Sequence, residues 1–492
     1  MSEKNGLSRR KERCGMNTED LMICPEAPDA GKDLEMARQI ASQVDRMGGH
    51  TYFVGGYVRD QILGIENKDV DIEIHGITPA QLRSILEQLG QMIEVGVSFG
   101  VYGLKGYSLD IAMPRTEKAI GRGHKDFEVS VDPFLGTEKA AKRRDFTINA
   151  LMRDVMTSQI VDHYSGLSDL EKGCIRHVCS ETFVEDPLRV FRGAQFAARF
   201  QYEIAEETLA LCRSMDLSVL ARERVFEETR KALLKADKPS IFFEELRKMN
   251  QLTTWFPEVE QLIGVEQNHI HHLEGDVWVH TMMVLDEAAL RRDKVSEALP
   301  FMLSALCHDF GKIVATEEID GQLHAYDHEN KGLPLVESFL ERLTSEKSII
   351  DYVTNMVSLH MKPHKLAGDR SSIKKTNRMY DQSVAPYDLI QLAEADNRSA
   401  LKAHPYVSNE PFLLERLSIY QEYMARPYVM GRDLIEAGMK ADKDFSEILD
   451  YAHKLRLAGV DKESALKQTL SYGRKRRQRW ENQDRVEPEQ KR

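Results

Sequence analysis

Cysteine is scarce: the 492 residues hold 6, at Cys14, Cys24, Cys174, Cys179, Cys212 and Cys307. They are scattered, with no Cys-x-x-Cys pair. That argues against a disulfide framework or a structural zinc site, and for a reducing cytoplasm. No run approaches ~18 apolar residues, so no membrane span is expected. The first residues, MSEKNGLSRRKERCG, lack the apolar core of a secretory signal. They read as a disordered leader over 1–30, with Met16 as an alternative start to Met1. Excess positive charge is missing as well, the formal net charge being -12. A nucleic-acid partner therefore needs a local basic surface. Basic clusters stand at Lys142–Phe146, Ser371–Arg378 and Gly473–Trp480, and each can equally be a solvated face. There is no internal repeat. The length exceeds what one core supports and suggests roughly three domains.

What is present changes character along the chain. The stretch before about Asn149 is mixed α/β. Residues 33–47 read as an amphipathic helix. TYFVGG is a strand ending in a turn, and YVRDQILG a helix stopped by Gly64. DVDIEIHG alternates, with Val70, Ile72 and Ile74 on one face and Asp69, Asp71 and Glu73 on the other, the period of a half-buried strand. TPAQLRSILEQLG is a helix capped by Thr78 and ended at Gly90. FGVYGLKGYSLDIAMPR reads as a strand pair. From EDPLRVFRGAQFAARF onward apolar residues recur three and four apart, so the rest is helical. The tail after Gly473 is basic, then polar, and is expected to fray.

The stretch YFVGGYVRDQILGIENKDVDIEIHG places two glycines, an arginine and two alternate aspartates close together. Asp69 and Asp71, two apart on a strand, share a face and repel unless a cation lies between them. Carboxylates plus substrate phosphates suit Mg²⁺, and two such ions can serve an attacking hydroxyl and a departing pyrophosphate. Gly55 and Gly56 let backbone N–H groups approach phosphate, and Arg59 adds a cation one turn on. The plain alternative is a turn beside a solvated acidic strand. Further on, KRRDFTINAL offers Arg144 to a triphosphate or ribose, with Asp145 to orient it. In EDPLRVFR, Pro187 fits a first helical turn, and Asp186 and Arg189 share a face. A carboxylate beside a guanidinium complements the amine and ring nitrogen of cytosine and adenine. Guanine and uracil would leave buried groups unpaired at ~1–3 kcal/mol each. An ordinary surface salt bridge is the plain alternative.

GGYVRD, DVDIEIHG, RRDFTINAL and EDPLRVFRGAQFAARF, in that order, resemble the class II tRNA nucleotidyltransferases, the CCA-adding family. The resemblance covers residues 30 to 470. It implies an α+β polymerase-β-like head followed by an all-helical neck and body, and template-independent addition of C, C and A to tRNA from CTP and ATP. By residue, it implies that Gly56 and Arg59 contact the nucleotide and that Asp69 and Asp71 bind Mg²⁺. Asp110 would be a third carboxylate. Arg144, Asp186, Arg189 and Arg192 would complete the pocket. PRTEKAIGRGHKDFEV resembles the flexible loop of the family, with Arg115 and Glu117 at its hinge. The chain departs from many relatives in having Gln195 where they carry a further arginine.

A second constellation lies downstream: His280, adjacent His308 and Asp309 on an apolar helix, then His328, His360 and Asp396. Buried His and Asp need partners, and a divalent transition metal such as Ni²⁺, Mn²⁺ or Co²⁺ satisfies both. Singly, each is more simply a satisfied core residue. The order of these residues resembles the HD superfamily of metal-dependent phosphohydrolases. Some bacterial members of the CCA-adding family carry such a domain, which is associated with phosphatase and 2′,3′-cyclic phosphodiesterase activity. The expected division is a head over 31–155, neck and body over 156–263, an HD domain over 264–400, a helical tail over 401–475 and a basic end over 476–492. The competing readings are a partial enzyme adding only A or only CC, and a protein acting chiefly as an HD phosphohydrolase.

Overall fold

A computed structural model describes residues 31–96, 101–119, 127–268, 270, 272–401 and 406–486. The expected leader and the last six residues lie outside them. The chain forms two compact units. The first runs to Ala232 and includes Ile241–Thr254, while Leu233–Ser240 and the chain from Trp255 form the second.

The first unit is built on β1 (His50–Val54), β2 (Val70–His75), β3 (Met92–Gly96), β4 (Val101–Leu104), β5 (Leu109–Ala112), β8 (Met152–Asp154) and β9 (Ile160–Val161). Their order is β3-β4-β5-β2-β1-β8-β9. β2 pairs antiparallel with β1 and parallel with β5, which sets Asp71 directly opposite Asp110. The helix Gly31–Arg46 buries Leu34, Ile40 and Val44 beside the sheet. Thr78 caps the helix Pro79–Leu89 through a reciprocal contact with Gln81, as its sequence requires.

Two expectations are corrected here. β2 is buried on both faces, not half-buried: Glu73 is 0% exposed. The strand is central, and its inward carboxylate is matched by His75 Nε2 at 3.0 Å and by Arg144 at 3.4 Å. The chain beyond Gly473 is helical, in a helix Lys462–Val486. Its Lys, Arg, Gln and Glu are good helix formers, so polarity does not imply fraying. Of the expected mobile loop, β6 (Arg115–Ala119) and β7 (Phe127–Val131) form an antiparallel ribbon in which Glu117 faces Val129. Residues 120–126 lie outside the described chain.

The first unit continues as helices Leu188–Phe200, Glu206–Arg213 and Arg222–Lys235. The second unit holds helices Val277–Ala289, Ala298–Cys307, Lys347–Leu359, Met361–Gly368 and Pro386–Ser399 and one short exposed hairpin, Glu317–Ile319 with Gln322–His324. The stretch Ala298–Ala315 is, against expectation, apolar and long enough to qualify as a membrane span by composition, yet 72% of it is buried within the protein. It packs as core and carries His308, Asp309 and Lys312. Among the described residues Cys174, Cys179, Cys212 and Cys307 are free thiols.

Candidate functional site

In the first unit the turn after β1 and the start of β2 bring the predicted head residues together. Gly55 has φ +67°, a backbone region that disfavours side chains. A Cβ there would come 3.4 Å from Arg144 Nη1 and 3.7 Å from Asp71 Oδ2. The glycine thus keeps open a notch with a guanidinium on one side and a carboxylate on the other. Asp69 is exposed just before β2, Asp71 is half-buried, and Asp110 is exposed on β5. Burial pushes the Asp71 carboxyl up to about 6, with Asp110 and Asp69 adding repulsion against the pull of Arg144. Three crowded carboxylates, one of them held above its ordinary range, fit a divalent cation.

Arg59 is buried, bonded to Asp60 at 2.8 Å and to Asn149, and it lies over the rings of Phe196 and Phe200. Its side chain fixes the turn from inside rather than standing at the surface. Asp145 is likewise turned away from Arg144: its Oδ2 accepts from Arg192 at 2.7 Å and its Oδ1 from Asn149 at 3.0 Å. Burial opposes that charge, but Arg192 and Asn149 outweigh it and bring Asp145 down to about 2.

These bonds form one chain. Arg192 holds Asp145, Asp145 and Arg59 meet at Asn149, and Arg59 holds Asp60. Asp60 accepts from Asn67 at 3.0 Å, and Asn67 accepts the Asp69 backbone N–H at 3.0 Å. The helix Leu188–Phe200 is thereby wired to the segment carrying Asp69. Asp60, Asn67 and Asn149 were not singled out from the sequence, because nothing local marks them.

Asp186 and Arg189 do lie side by side at the start of that helix, each with partners of its own. Arg189 donates to the Thr182 and Arg143 carbonyls at 2.7 and 2.8 Å. Asp186 accepts from Arg224 at 3.0 Å. Gln195 is buried.

In the second unit all six predicted residues converge. His280, His308, Asp309, His328 and His360 are buried, and Asp396 Oδ1 lies 3.1 Å from His280 Nε2. Two groups with ligand atoms within 4.8 Å of one another share Asp309: His280, His308 and Asp309, and Asp309, His328 and His360. Gly311 admits this convergence, since a Cβ there would overlap the His328 carbonyl. His308, His328 and His360 have Nδ1 at 2.9, 2.9 and 2.7 Å from the carbonyls of Ala305, Ala325 and Val357. Inferred from these acceptors, the ring proton sits on Nδ1 and the Nε2 lone pair faces inward. His308 Nε2 is buried with no hydrogen-bond partner. His328 Nε2 and His360 Nε2 face each other at 3.2 Å. Inward lone pairs crowded against one another and against the Asp309 oxygens at 3.2 Å fit a transition-metal cation.

The charges are tuned to match. Burial opposes the Asp309 charge, but His308 and Lys312 hold the carboxyl well below its usual range. Burial, with His328 and His308 adding to it, brings His360 down to about 3. Burial opposes the His280 charge, while Asp396 and Glu274 raise it to about 9. Lys312, 2.7 Å from Asp309, and His364, 2.9 Å from Asp396, complete the surroundings. Neither was singled out, although Lys312 follows Asp309 by one helical turn and was legible on spacing.

Comparison with known proteins identifies the head and the segment that follows it. Residues 51–176 match the Poly A polymerase head domain, and residues 201–263 match the probable RNA and SrmB-binding site of polymerase A. A "Multifunctional CCA protein" of Alkalilimnicola ehrlichii is 35% identical over 403 residues, covering 78% of this chain and 94% of the relative. Among solved structures, a Bacillus stearothermophilus CCA-adding enzyme in complex with CTP aligns with TM-score 0.65 at 20% identity, over 92% of this chain and 100% of that one. A Thermotoga maritima CCA-adding enzyme complexed with tRNA aligns with TM-score 0.60 at 19% identity, over 93% and 98%.

Proposed function

The chain belongs to the multifunctional CCA proteins, a family of tRNA nucleotidyltransferases, and from that premise we propose that it adds C, C and A in turn to the 3′ end of tRNA, using CTP and ATP. The observation that carries this reading is the notch at Gly55, walled by Arg144 and Asp71, beside Asp69 and Asp110. The 3′-hydroxyl of the RNA loses its proton to solvent as its oxygen bonds to the α-phosphorus, the bond from the α-phosphorus to the bridging oxygen breaks, and pyrophosphate departs. When bound, divalent cations supply Lewis-acid stabilisation of the phosphate charge, and all-oxygen ligands favour Mg²⁺. Asp69, Asp71 and Asp110 would hold them. Arg144 meets phosphate charge across the Gly55 backbone. Arg59 and Arg192 hold the turn and the base-reading helix in register through Asp60, Asn149 and Asp145. Asp186 and Arg189, steadied by Arg224 and two carbonyls, read the base. Arg115 and Glu117 sit where the ribbon leaves the head and would hinge the loop.

The second unit supports a metal-dependent phosphohydrolase activity of HD type, on the convergence of four histidines around Asp309 with Asp396 beside His280. Transition-metal cations there would activate water and bind phosphate. His308, His328 and His360 each turn Nε2 inward by setting Nδ1 against a backbone carbonyl. The finer division proposed is head 31–155, neck and body 156–263, HD domain 264–400 and tail 401–475. A reducing cytoplasm suits the free thiols. The deciding assay offers transcripts lacking CCA, ending in CC and ending in CCA, with CTP, ATP or both. Full addition requires CTP and ATP incorporation into the first and ATP alone into the second. Incorporation confined to one nucleotide would leave a partial enzyme, and none at all would leave the hydrolase reading.

A further inference from the structure

Four histidines surround Asp309, and three of them are oriented by the backbone. His308, His328 and His360 each set Nδ1 against the carbonyl three residues before them. His280 is different. Its Nε2 faces the ligand side, 3.1 Å from Asp396 Oδ1 and 3.7 Å from Asp309 Oδ2. The acceptor beside its Nδ1 is a side chain: Glu274 Oε1 at 2.9 Å, close but off the line of an ideal hydrogen bond.

Glu274 is itself tightly held. Its carboxylate is 1% exposed. Oε1 lies 2.7 Å from His272 Nδ1, and Oε2 accepts the Leu401 N–H at 2.9 Å. The segment bearing it is tied down again by the Leu273 N–H to the Leu401 carbonyl at 2.8 Å. A buried carboxylate with this many anchors has one orientation, and that orientation faces the back of His280.

A histidine can ligate through Nε2 only when that atom gives up its proton. A fixed anion behind Nδ1 keeps the remaining proton there, orients the ring and strengthens the donor. We propose that Glu274 is the positioning residue of the second centre: it lies outside the ligand set and fixes the tautomer and aim of His280. This inference rests on the metal-centre reading above. It gives the loop before helix Val277–Ala289 a role in cation affinity without direct contact.

The test uses the full chain as wild type, Glu274→Gln, Glu274→Ala, His280→Ala and His308→Ala. Co²⁺ binding is followed by calorimetry and by the visible absorption of the bound ion. Circular dichroism and a thermal melt of the full chain report that each variant is folded. Wild type should bind Co²⁺, and His308→Ala should abolish or cripple that binding. Glu274→Ala should weaken affinity about 10–100-fold while leaving the band positions unchanged. Glu274→Gln, which keeps the shape and one acceptor oxygen, should fall between it and wild type. Wild-type affinity in both Glu274 variants would overturn the positioning role while leaving the centre intact. A band shift as large as that of His280→Ala would make Glu274 a ligand and overturn it as well. Absence of Co²⁺ binding by wild type would instead sink the metal-centre reading, and the inference with it.

Discussion

Asp71 and Asp309 are both carboxylates set to receive a cation, yet their surroundings move them in opposite directions. At Asp71 burial and two neighbouring carboxylates raise the group to about 6, against one arginine. At Asp309 burial is overcome by His308 and Lys312, and the group is held well below its usual range. The first centre carries uncompensated negative charge and offers only oxygens. It is complete when a cation arrives with the phosphates of its substrate. The second already holds an ammonium, Lys312, 2.7 Å from its carboxylate and offers imidazole nitrogens beside it. On the proposed reading, one would take ions that come with substrate and the other ions that stay.

The comparison breaks most visibly if the two centres are not independent. Asp69→Ala or Asp71→Asn should cut nucleotide incorporation roughly a thousandfold, the loss of several kcal/mol of charge stabilisation. Co²⁺ binding by the second unit should be unaffected. Near-normal incorporation by both variants would remove the head assignment.

The converse variant, His308→Ala with Asp309→Ala, should lose transition-metal binding and any hydrolysis of 2′,3′-cyclic nucleotides. Incorporation of CTP and ATP should persist. Both side chains are buried, so a stability loss on the order of a few kcal/mol should accompany it. Hydrolysis that survives in this variant would place the activity elsewhere.

Chemistry-bearing residues were the legible part of this chain. Glycines at a turn, alternate aspartates and an adjacent His-Asp pair announce themselves, and the structure gathers four of the second-unit histidines around Asp309, with Asp396 beside His280. Helix ends with a local code were equally readable, as at Thr78 with its Gln81 partner. The supporting residues were not. Asp60, Asn67 and Asn149 join sites up to 90 residues apart, and Arg224 reaches Asp186 from 38 residues away. Alternation misread β2 because a buried Glu73 looks solvent-facing until Arg144 and His75 are in place. The partners of Arg59 were equally hidden: Asp60 and two phenylalanine rings hold it, and only the fold brings the rings there.

A sharper test separates the base reader from its scaffold. Asp186→Ala with Arg189→Ala should weaken discrimination against UTP and GTP by roughly 10–100-fold, matching ~1–3 kcal/mol for unpaired groups. Arg224→Ala should loosen the same discrimination by less, because it leaves the Asp186 carboxylate present but unsteadied. Competition assays with paired nucleotides measure both. Unchanged preference in the double variant would move base reading to other residues.

The smallest effect is also the most direct reading of the comparison. Asp71 has a folded-state pKa of about 6, above the 3.8 of an ordinary aspartate. The folded chain therefore binds this proton more tightly than the unfolded chain. Above pH 6 the charged carboxylate works against folding, and the penalty disappears as pH falls through 6 towards 4. Asp71→Asn removes the charge. With a chelator at pH 7.5 this variant should melt about 2–4 °C above wild type, the shift expected for ~1 kcal/mol in a unit of this size. The gap should close near pH 4. Mg²⁺ should raise the melting temperature of wild type more than that of the variant, because the cation relieves repulsion only where the carboxylate is present. A variant that melts lower than wild type at pH 7.5 would mean that Arg144 already neutralises Asp71, and the contrast with Asp309 would fall.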